Sequence, residues 1–423
     1  MNTTSDIMDS SRLCYEGDFN TQVKNVLSHV RMTATEVRNL RNLFVDLELA
    51  LQDLAPGLQV HPFGSIVTGL GIRTSDVDCF IELPHGMKPN DRHVMRARNI
   101  LRRHYLKFGN PFAIINATVP IVKFLHVPTN CFCDINFTSP AGVYNSELIS
   151  YLLQMDTSDR ALQLAVLVKY WSKVNKFTGT NLLASYALTL MVIFYLQLMN
   201  MLPSIYDLQK VVPPGSCMVN NWNTGFDRSV SYNRINDSLY DLLGGFFKCY
   251  ASMNFDETII SPYMGRLLSR KTFKNFNEIP PEFALYKYNI SHNLCKKPLN
   301  VDGPLCVQDP FEHARNCAGA VHPRLGEKIK SHFRFAAMKF DELPPQRFLQ
   351  AIFTEDQTQI VPRLKKRSKH VFVNKVTKQK NNAPQKTAPQ KNALRRIVSQ
   401  KNHGVTSNLN LIGCYEMIRN SKK

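Results

Sequence analysis

Two carboxylates stand two residues apart at Asp76-Val77-Asp78, in a short apolar run that continues through Cys79, Phe80 and Ile81. On a strand, side chains alternate between faces, so both acids project from the same one. Two such charges repel, and a bound divalent cation removes that cost. Oxygen-only ligands suit Mg²⁺, which completes its shell with water and substrate phosphates. Twelve residues before Asp76 comes Gly64, followed by Ser65. A glycine lets the backbone approach an anion closely, and a serine adds a hydroxyl donor. The stretch His61 to Leu83 thus offers a phosphate-gripping turn and a metal-binding strand end. Taken singly, the Gly-Ser pair also describes a surface turn, and Asp-x-Asp the start of an edge strand.

Taken together they resemble the motif of nucleotidyltransferases built on the DNA polymerase β-like fold. That motif is a hydrophobic residue, Gly-Ser, a short spacer, then Asp-hydrophobic-Asp. Here it reads Phe63-Gly64-Ser65, the ten residues Ile66 to Ser75, and Asp76-Val77-Asp78. The family also needs a third carboxylate on a neighbouring strand, and Asp134 supplies one between apolar neighbours in Cys131 to Phe137. Over roughly residues 20–340 the resemblance narrows to the noncanonical poly(A) polymerases and terminal uridylyltransferases.

The resemblance implies a reaction and a set of roles. Nucleotides are added to an RNA 3′ end without a template, from UTP or ATP, with Mg²⁺ as cofactor and Mn²⁺ as the alternative. Asp76 and Asp78 are implied as ligands of both metal ions, and Asp134 as ligand of the one that activates the primer hydroxyl. Gly64 and Ser65 are implied to grip the terminal phosphates, and Asn145, eleven residues after Asp134, to lie near the ribose. Lys169 and Lys173, in Lys169-Tyr170-Trp171-Ser172-Lys173, resemble the family's lysine helix. At i and i+4 they share one helix face. That face is either a cationic clamp on the γ-phosphate or a solvated surface. Ser185 and Tyr186 resemble the family's Ser-Tyr pair, with Ser185 on phosphate and Tyr186 stacked on the base, which selects no base by itself. Cys306 to Asn316 resembles the base-reading loop, with Asp309 at the base edge. Uridylyltransferases carry a His just before the Asn; Arg315 stands there, in a loop of uridylyltransferase length. Arginine only donates and is always charged. It suits a uracil carbonyl but also an adenine nitrogen, so uridylate is expected ahead of adenylate by a modest margin. His313 is expected at the surface.

These residues need elements to position them. A helical pattern runs from about Asp18 to Leu54 until Pro56-Gly57 stops it. A basic helix is expected over Asn90 to Phe108, then strand-like runs at Ala113 to Phe124 and Cys131 to Phe137. From Ser146 onward the pattern is helical. The expected fold class is α+β and two-lobed: a small mixed α/β nucleotidyltransferase lobe, a larger helical PAP-associated lobe and a disordered basic C-terminal tail. The expected boundaries are a disordered 1–17, a helix at 18–44 joining the helical lobe, the catalytic domain at 45–145, and the helical domain at 146–355. The helical domain includes a PAP-associated segment near 238–320, and a basic low-complexity tail fills 356–423.

Of the +19 net charge, +15 falls in residues 361–423, where 11 Lys and 5 Arg face the single acid Glu416. Such a tail suits RNA, protein or import-factor binding, or a solvated extension. Ten scattered cysteines without a Cys-x-x-Cys pair give a zinc site little support. They fit reduced thiols in an intracellular compartment, and the polar start of the chain has no secretory signal. A cytoplasmic or nuclear protein is expected, not a secreted one. The uncharged run between Lys176 and Asp207 is long enough to span a bilayer. Asn181, Ser185, Gln197 and Asn200 interrupt it, so a buried helix and no membrane association are expected. An enzyme acting on a small molecule and a degenerate RNA-binding adaptor are the competing readings. The helical-lobe motifs oppose the first and the intact acids the second.

Overall fold

The computed structural model of the protein describes residues 7–213, 215–230 and 235–354. The basic tail expected over 356–423 lies outside them. Period-two burial builds a five-stranded sheet: β1 (Gln59–Phe63), β2 (Val77–Glu82), β3 (Phe108–Ile114), β4 (Ile121–His126) and β5 (Cys131–Asn136). Val77, Cys79 and Ile81 of β2, Val122 and Phe124 of β4, and Cys133 and Ile135 of β5 all point inward. Spatial order is β1-β2-β5-β4-β3, with β2 and β5 parallel and the other pairs antiparallel. The run Ala113 to Phe124 is not one strand: residues 115–120 form a turn between β3 and β4.

Two helices close the inner face of the sheet. α2 (Ala34–Leu51) contributes Leu40, Leu43, Phe44, Leu47 and Leu51, and α3 (Asp91–Arg103) contributes Val94, Ala97, Ile100 and Leu101. α2 begins with a capping box in which the Thr33 and Glu36 side chains each take the other's backbone N–H. The expected helix at 18–44 is therefore two helices in two cores. α1 (Phe19–Val30) buries Phe19, Val23, Val26 and Val30 in the helical lobe, whereas Leu40, Leu43 and Phe44 belong to the sheet core.

The helical core gathers α1, α4 (Ala141–Gln154), α5 (Arg160–Val174), α6 (Ser185–Leu198), α7 (Leu239–Ser252), α8 (Pro323–Glu342) and α9 (Pro345–Thr354). Trp171 of α5 sits at its centre, its ring 4.7–5.3 Å from those of Phe177, Phe247 and Phe333. The uncharged run is α6, buried on every side from Ala187 to Gln197. Among the described residues no helix is long and apolar enough to cross a membrane. The nine cysteines of these residues are all free thiols.

Residues 7–17, expected to be disordered, are ordered. Ile7 and Leu13 are buried, the Tyr170 hydroxyl donates to the Ile7 carbonyl (3.2 Å), and the Ser10 hydroxyl donates to the Phe353 carbonyl (2.8 Å). Gln22 Nε2 donates to the Gln346 carbonyl at 2.7 Å. The helical lobe is thus closed by the first and last described segments together. A polar composition hid two apolar anchors that tertiary contact makes sufficient.

Candidate active site

One row of paired residues crosses the whole sheet: Phe63, Asp78, Asp134, Lys123 and Phe112, each opposite the next. Register therefore sets Asp78 beside Asp134 on the outer face, and alternation adds Asp76 to that face. Sequence reasoning found the three acids but not Lys123. Its Nζ lies 2.8 Å from Asp76 Oδ2 and 2.9 Å from Asp134 Oδ1, between the two carboxylates. Its only sequence signal is a lone charge at an outward position of an alternating strand. Burial, then the charges of Asp134 and Asp76, pushes the Asp78 carboxyl up to about 7. Burial also raises Asp134, against the pull of Lys123.

Among the described residues no three acidic, His or Cys side chains converge on one point. The donors are nonetheless all oxygen, and their crowding already draws an ammonium group between them. That is the electrostatic demand a hard divalent cation meets.

Gly64 begins a short 3-10 turn with φ +79°, and a Cβ there would lie 2.6 Å from Asp78 Oδ2. Only glycine lets the turn lie against that carboxylate. The Gly64 N–H was expected to face phosphate; it donates to Ser146 Oγ at 2.7 Å, leaving Ser65 as the candidate phosphate group of the turn. Phe63 rests where Gly142 has no side chain: a Cβ on Gly142 would meet its ring at 2.4 Å. Gly142 and Ser146, one turn apart on α4, dock the turn, and sequence reasoning missed both.

The two lysines part company. Burial holds Lys169 down to about 7, with the Lys173 charge adding to the effect. Its Nζ donates to the Leu70 carbonyl (2.9 Å) and to Ser75 Oγ (3.1 Å). It fastens the loop that delivers Asp76 and is not a free phosphate clamp; half-buried Lys173 keeps that candidacy. Lys173→Ala is expected to raise the nucleotide KM about tenfold with little change in kcat, the loss of one charged hydrogen bond. Lys169→Ala is expected to lower kcat by disturbing Asp76. Steady-state kinetics separate the two, and an equal KM effect from both would restore the paired clamp.

Asp309 is 1% exposed and fully engaged. Its Oδ1 accepts the N–H groups of Phe311 and Glu312, both at 3.0 Å. Its Oδ2 accepts the Tyr186 hydroxyl at 3.1 Å, Asn145 Nδ2 at 3.4 Å and the Cys317 thiol at 3.6 Å. It is a hub that builds the loop and orients Tyr186, not a free reader of a base edge. Burial, reinforced by the Asp309 charge, keeps the Tyr186 phenol far above its ordinary range. Asn145 Oδ1 is buried without a partner, an acceptor left over for a hydroxyl. Ser185 is half-buried at the start of α6, and its carbonyl accepts the Thr189 hydroxyl. Arg315 sits on the loop's rim with half its side chain open to solvent and its Nη1 3.9 Å from Asp309 Oδ2, a loose ion pair. His313, expected at the surface, is buried 4.0 Å (ring centroid to ring centroid) from Tyr263, and burial lowers it to about 3, so it stays neutral.

Consecutive α4 residues join the two halves of the site: Asn145 reaches Asp309 and Ser146 reaches Gly64.

A family model described as the central palm domain of mitochondrial-like poly(A) RNA polymerase matches residues 19–154, and one described as Cid1 family poly A polymerase matches 238–315. Among curated relatives, the speckle targeted PIP5K1A-regulated poly(A) polymerase of Danio rerio is 26% identical over 366 residues, covering 75% of this chain and 45% of its own. Terminal uridylyltransferase cid1 of Schizosaccharomyces pombe is 25% identical over 251 residues, covering 57% and 58%. The chain spans about half the length of the curated relatives it matches, from 45% to 60% for the first three. The fold is that of mtPAP solved with UTP (TM-score 0.67, 19% identity, 83% of this chain and 74% of that one) and of the Cid1 poly(U) polymerase (TM-score 0.64, 21%, 80% and 99%).

Proposed function

We infer that this chain, a member of the noncanonical poly(A) polymerase and terminal uridylyltransferase family, transfers nucleotidyl groups from a nucleoside triphosphate to an RNA 3′ end without a template. The observation that carries this is the outer-face row of Asp78 and Asp134, with Asp76 beside it and the Gly64 turn against it. Asp76 and Asp78 would hold two Mg²⁺ ions, with Mn²⁺ as the alternative, and Asp134 the ion on the primer side. When bound, these ions neutralise charge at the α-phosphate and make the attacking hydroxyl more acidic. The chain's own groups do the positioning. Ser65, Ser185 and Lys173 bind phosphate oxygens, and the Tyr186 ring stacks on the base while Asp309 fixes its hydroxyl. Asn145 Oδ1 accepts a ribose hydroxyl, and Lys169 holds the loop before Asp76. The cleft bridged by α4 is where triphosphate and RNA end meet. The proposed compartment is the cytoplasm or nucleus. The basic tail is assigned to RNA or protein binding.

Uridylate is the preferred nucleotide in this reading, because the exposed Arg315 can donate to a uracil carbonyl. The names of the polymerase relatives favour adenylate, which is the second reading. Extension of a labelled RNA with Mg²⁺ and each nucleoside triphosphate in turn tests both. Extension by none of them overturns the enzyme reading. With equimolar UTP and ATP, Arg315→His is expected to sharpen uridylate preference by up to about tenfold, the worth of one positioned hydrogen bond. A wild type that incorporates adenylate and is unmoved by Arg315→His would decide for poly(A) addition.

A further inference from the structure

Around its charged residues, the outer face of the sheet also exposes apolar side chains. Over β1 and β2 it is covered by α4 and the turn at Gly64. Over the Phe132 end of β5, over β4 and over β3 it is at least partly open to solvent. Phe132 is 53% exposed, Phe112 46% and Ile114 39%, with half-buried Leu125 and Ile121 between them. A solvated sheet face is ordinarily polar, so exposed aromatic side chains on either side of Lys123 and Asp134 mark a binding surface. Its position says for what. Phe132 and Asp134 are two residues apart on one strand face, roughly 7 Å by strand rise. Phe112 is in the same row as Asp134, two strands across with Lys123 between them, roughly 10 Å away.

We propose that this face is the platform for the 3′-terminal nucleotides of single-stranded RNA, with their bases stacked on Phe132 and Phe112 and the chain running off the β3 edge. The proposal rests on the RNA-extending function inferred above. Aromatic faces on a sheet are a recurrent way of holding unpaired bases, and stacking accepts any base. That tolerance suits a growing tail whose terminal base is replaced at each addition. A protein seated on Phe132 and Leu125 would instead stand over Asp134 and shut the primer hydroxyl out. Lys123, in the middle of the patch, adds a cation for the backbone.

The test uses the full chain and a short fluorescein-labelled oligoribonucleotide, read by anisotropy, beside primer and nucleotide KM values. Phe132→Ala and Phe112→Ala are each expected to weaken RNA binding and raise the primer KM by about five- to a hundredfold, with the nucleotide KM unmoved. Both side chains are about half exposed, so the variants should melt close to wild type, and Phe132→Tyr should retain binding. A 4-thiouridine at the RNA 3′ end should crosslink to the peptide bearing Phe132. If wild type extends RNA and both alanine variants bind it as wild type does, the platform is wrong and the proposed function stands. If wild type neither binds nor extends RNA, both fall. Unchanged RNA affinity with an altered oligomer mass by light scattering would make the patch a protein interface and overturn the proposal.

Discussion

Replacing Asp78 by Asn is expected to abolish nucleotide addition, by about three orders of magnitude or more in turnover, and to make the metal-free protein more stable at pH 8. The loss would follow from removing a ligand of the proposed ions, which would supply several kcal/mol to the transition state, at about 1.4 kcal/mol per tenfold. The gain follows from the crowding of Asp78 by burial and by Asp134 and Asp76, which lifts its carboxyl to about 7. The folded state holds that proton more tightly than the unfolded one. Between about pH 4 and 7 the unfolded chain gives it up first, so stability falls as pH rises through that window and stays low above it. Asparagine has no proton to lose. Lys169 acts in a higher window: held down to about 7, it costs stability below that point, and the cost fades as pH rises toward its ordinary range. Melting temperature against pH in a chelator, for wild type and Asp78→Asn, shows the first slope disappearing. A folded Asp78→Asn protein that extends RNA near the wild-type rate would remove the catalytic assignment.

Asp309→Ala is expected to cost about 2–4 kcal/mol of stability and to lower kcat/KM for nucleotide about a hundredfold. The carboxylate accepts from two loop amides, the Tyr186 hydroxyl, Asn145 and Cys317. Without it those buried donors are stranded, at about 1–3 kcal/mol for each left unsatisfied. Tyr186 also loses the partner that fixes its ring. Asp309→Asn keeps one carbonyl acceptor and should fall between. Denaturant unfolding and steady-state kinetics measure both effects, and an alanine variant close to wild type in each would show that the hub organises nothing.

The sequence located the acids better than the residues around them. The acids could be found because strand alternation and motif spacing are local rules, and Asp76, Asp78 and Asp134 obey both. The row that sets Asp78 beside Asp134 depends on the pairing of β2 with β5, residues more than fifty apart, so Lys123 between the acids went unseen. Spacing put Lys169 and Lys173 on one face, but only the loop at Leu70 to Ser75 reveals which of them is engaged. Asp309 was found as a residue and misread in role, because its five donors include Asn145 and Tyr186, more than a hundred residues away, beside three from its own loop. His313 looks like any polar residue in a loop until Trp222, Tyr263 and Phe283 are placed around it.

The clasp of Ser10 on Phe353 and of Gln22 on Gln346 bears on how the molecule is made. The sheet core draws on residues 40–137, a continuous stretch that can fold as it leaves the ribosome. The helical core spans Leu13 to Phe353, so its earliest helix waits for its last. At about 5–20 residues per second, α1 would wait tens of seconds with its apolar face uncovered, a natural client for a chaperone. The acids would be in place well before Tyr186 acquires Asp309, so a nascent chain could arrange its carboxylates long before the Tyr186 ring is fixed. The same closeness of residues 10 and 353 makes the pair a natural junction for circular permutation.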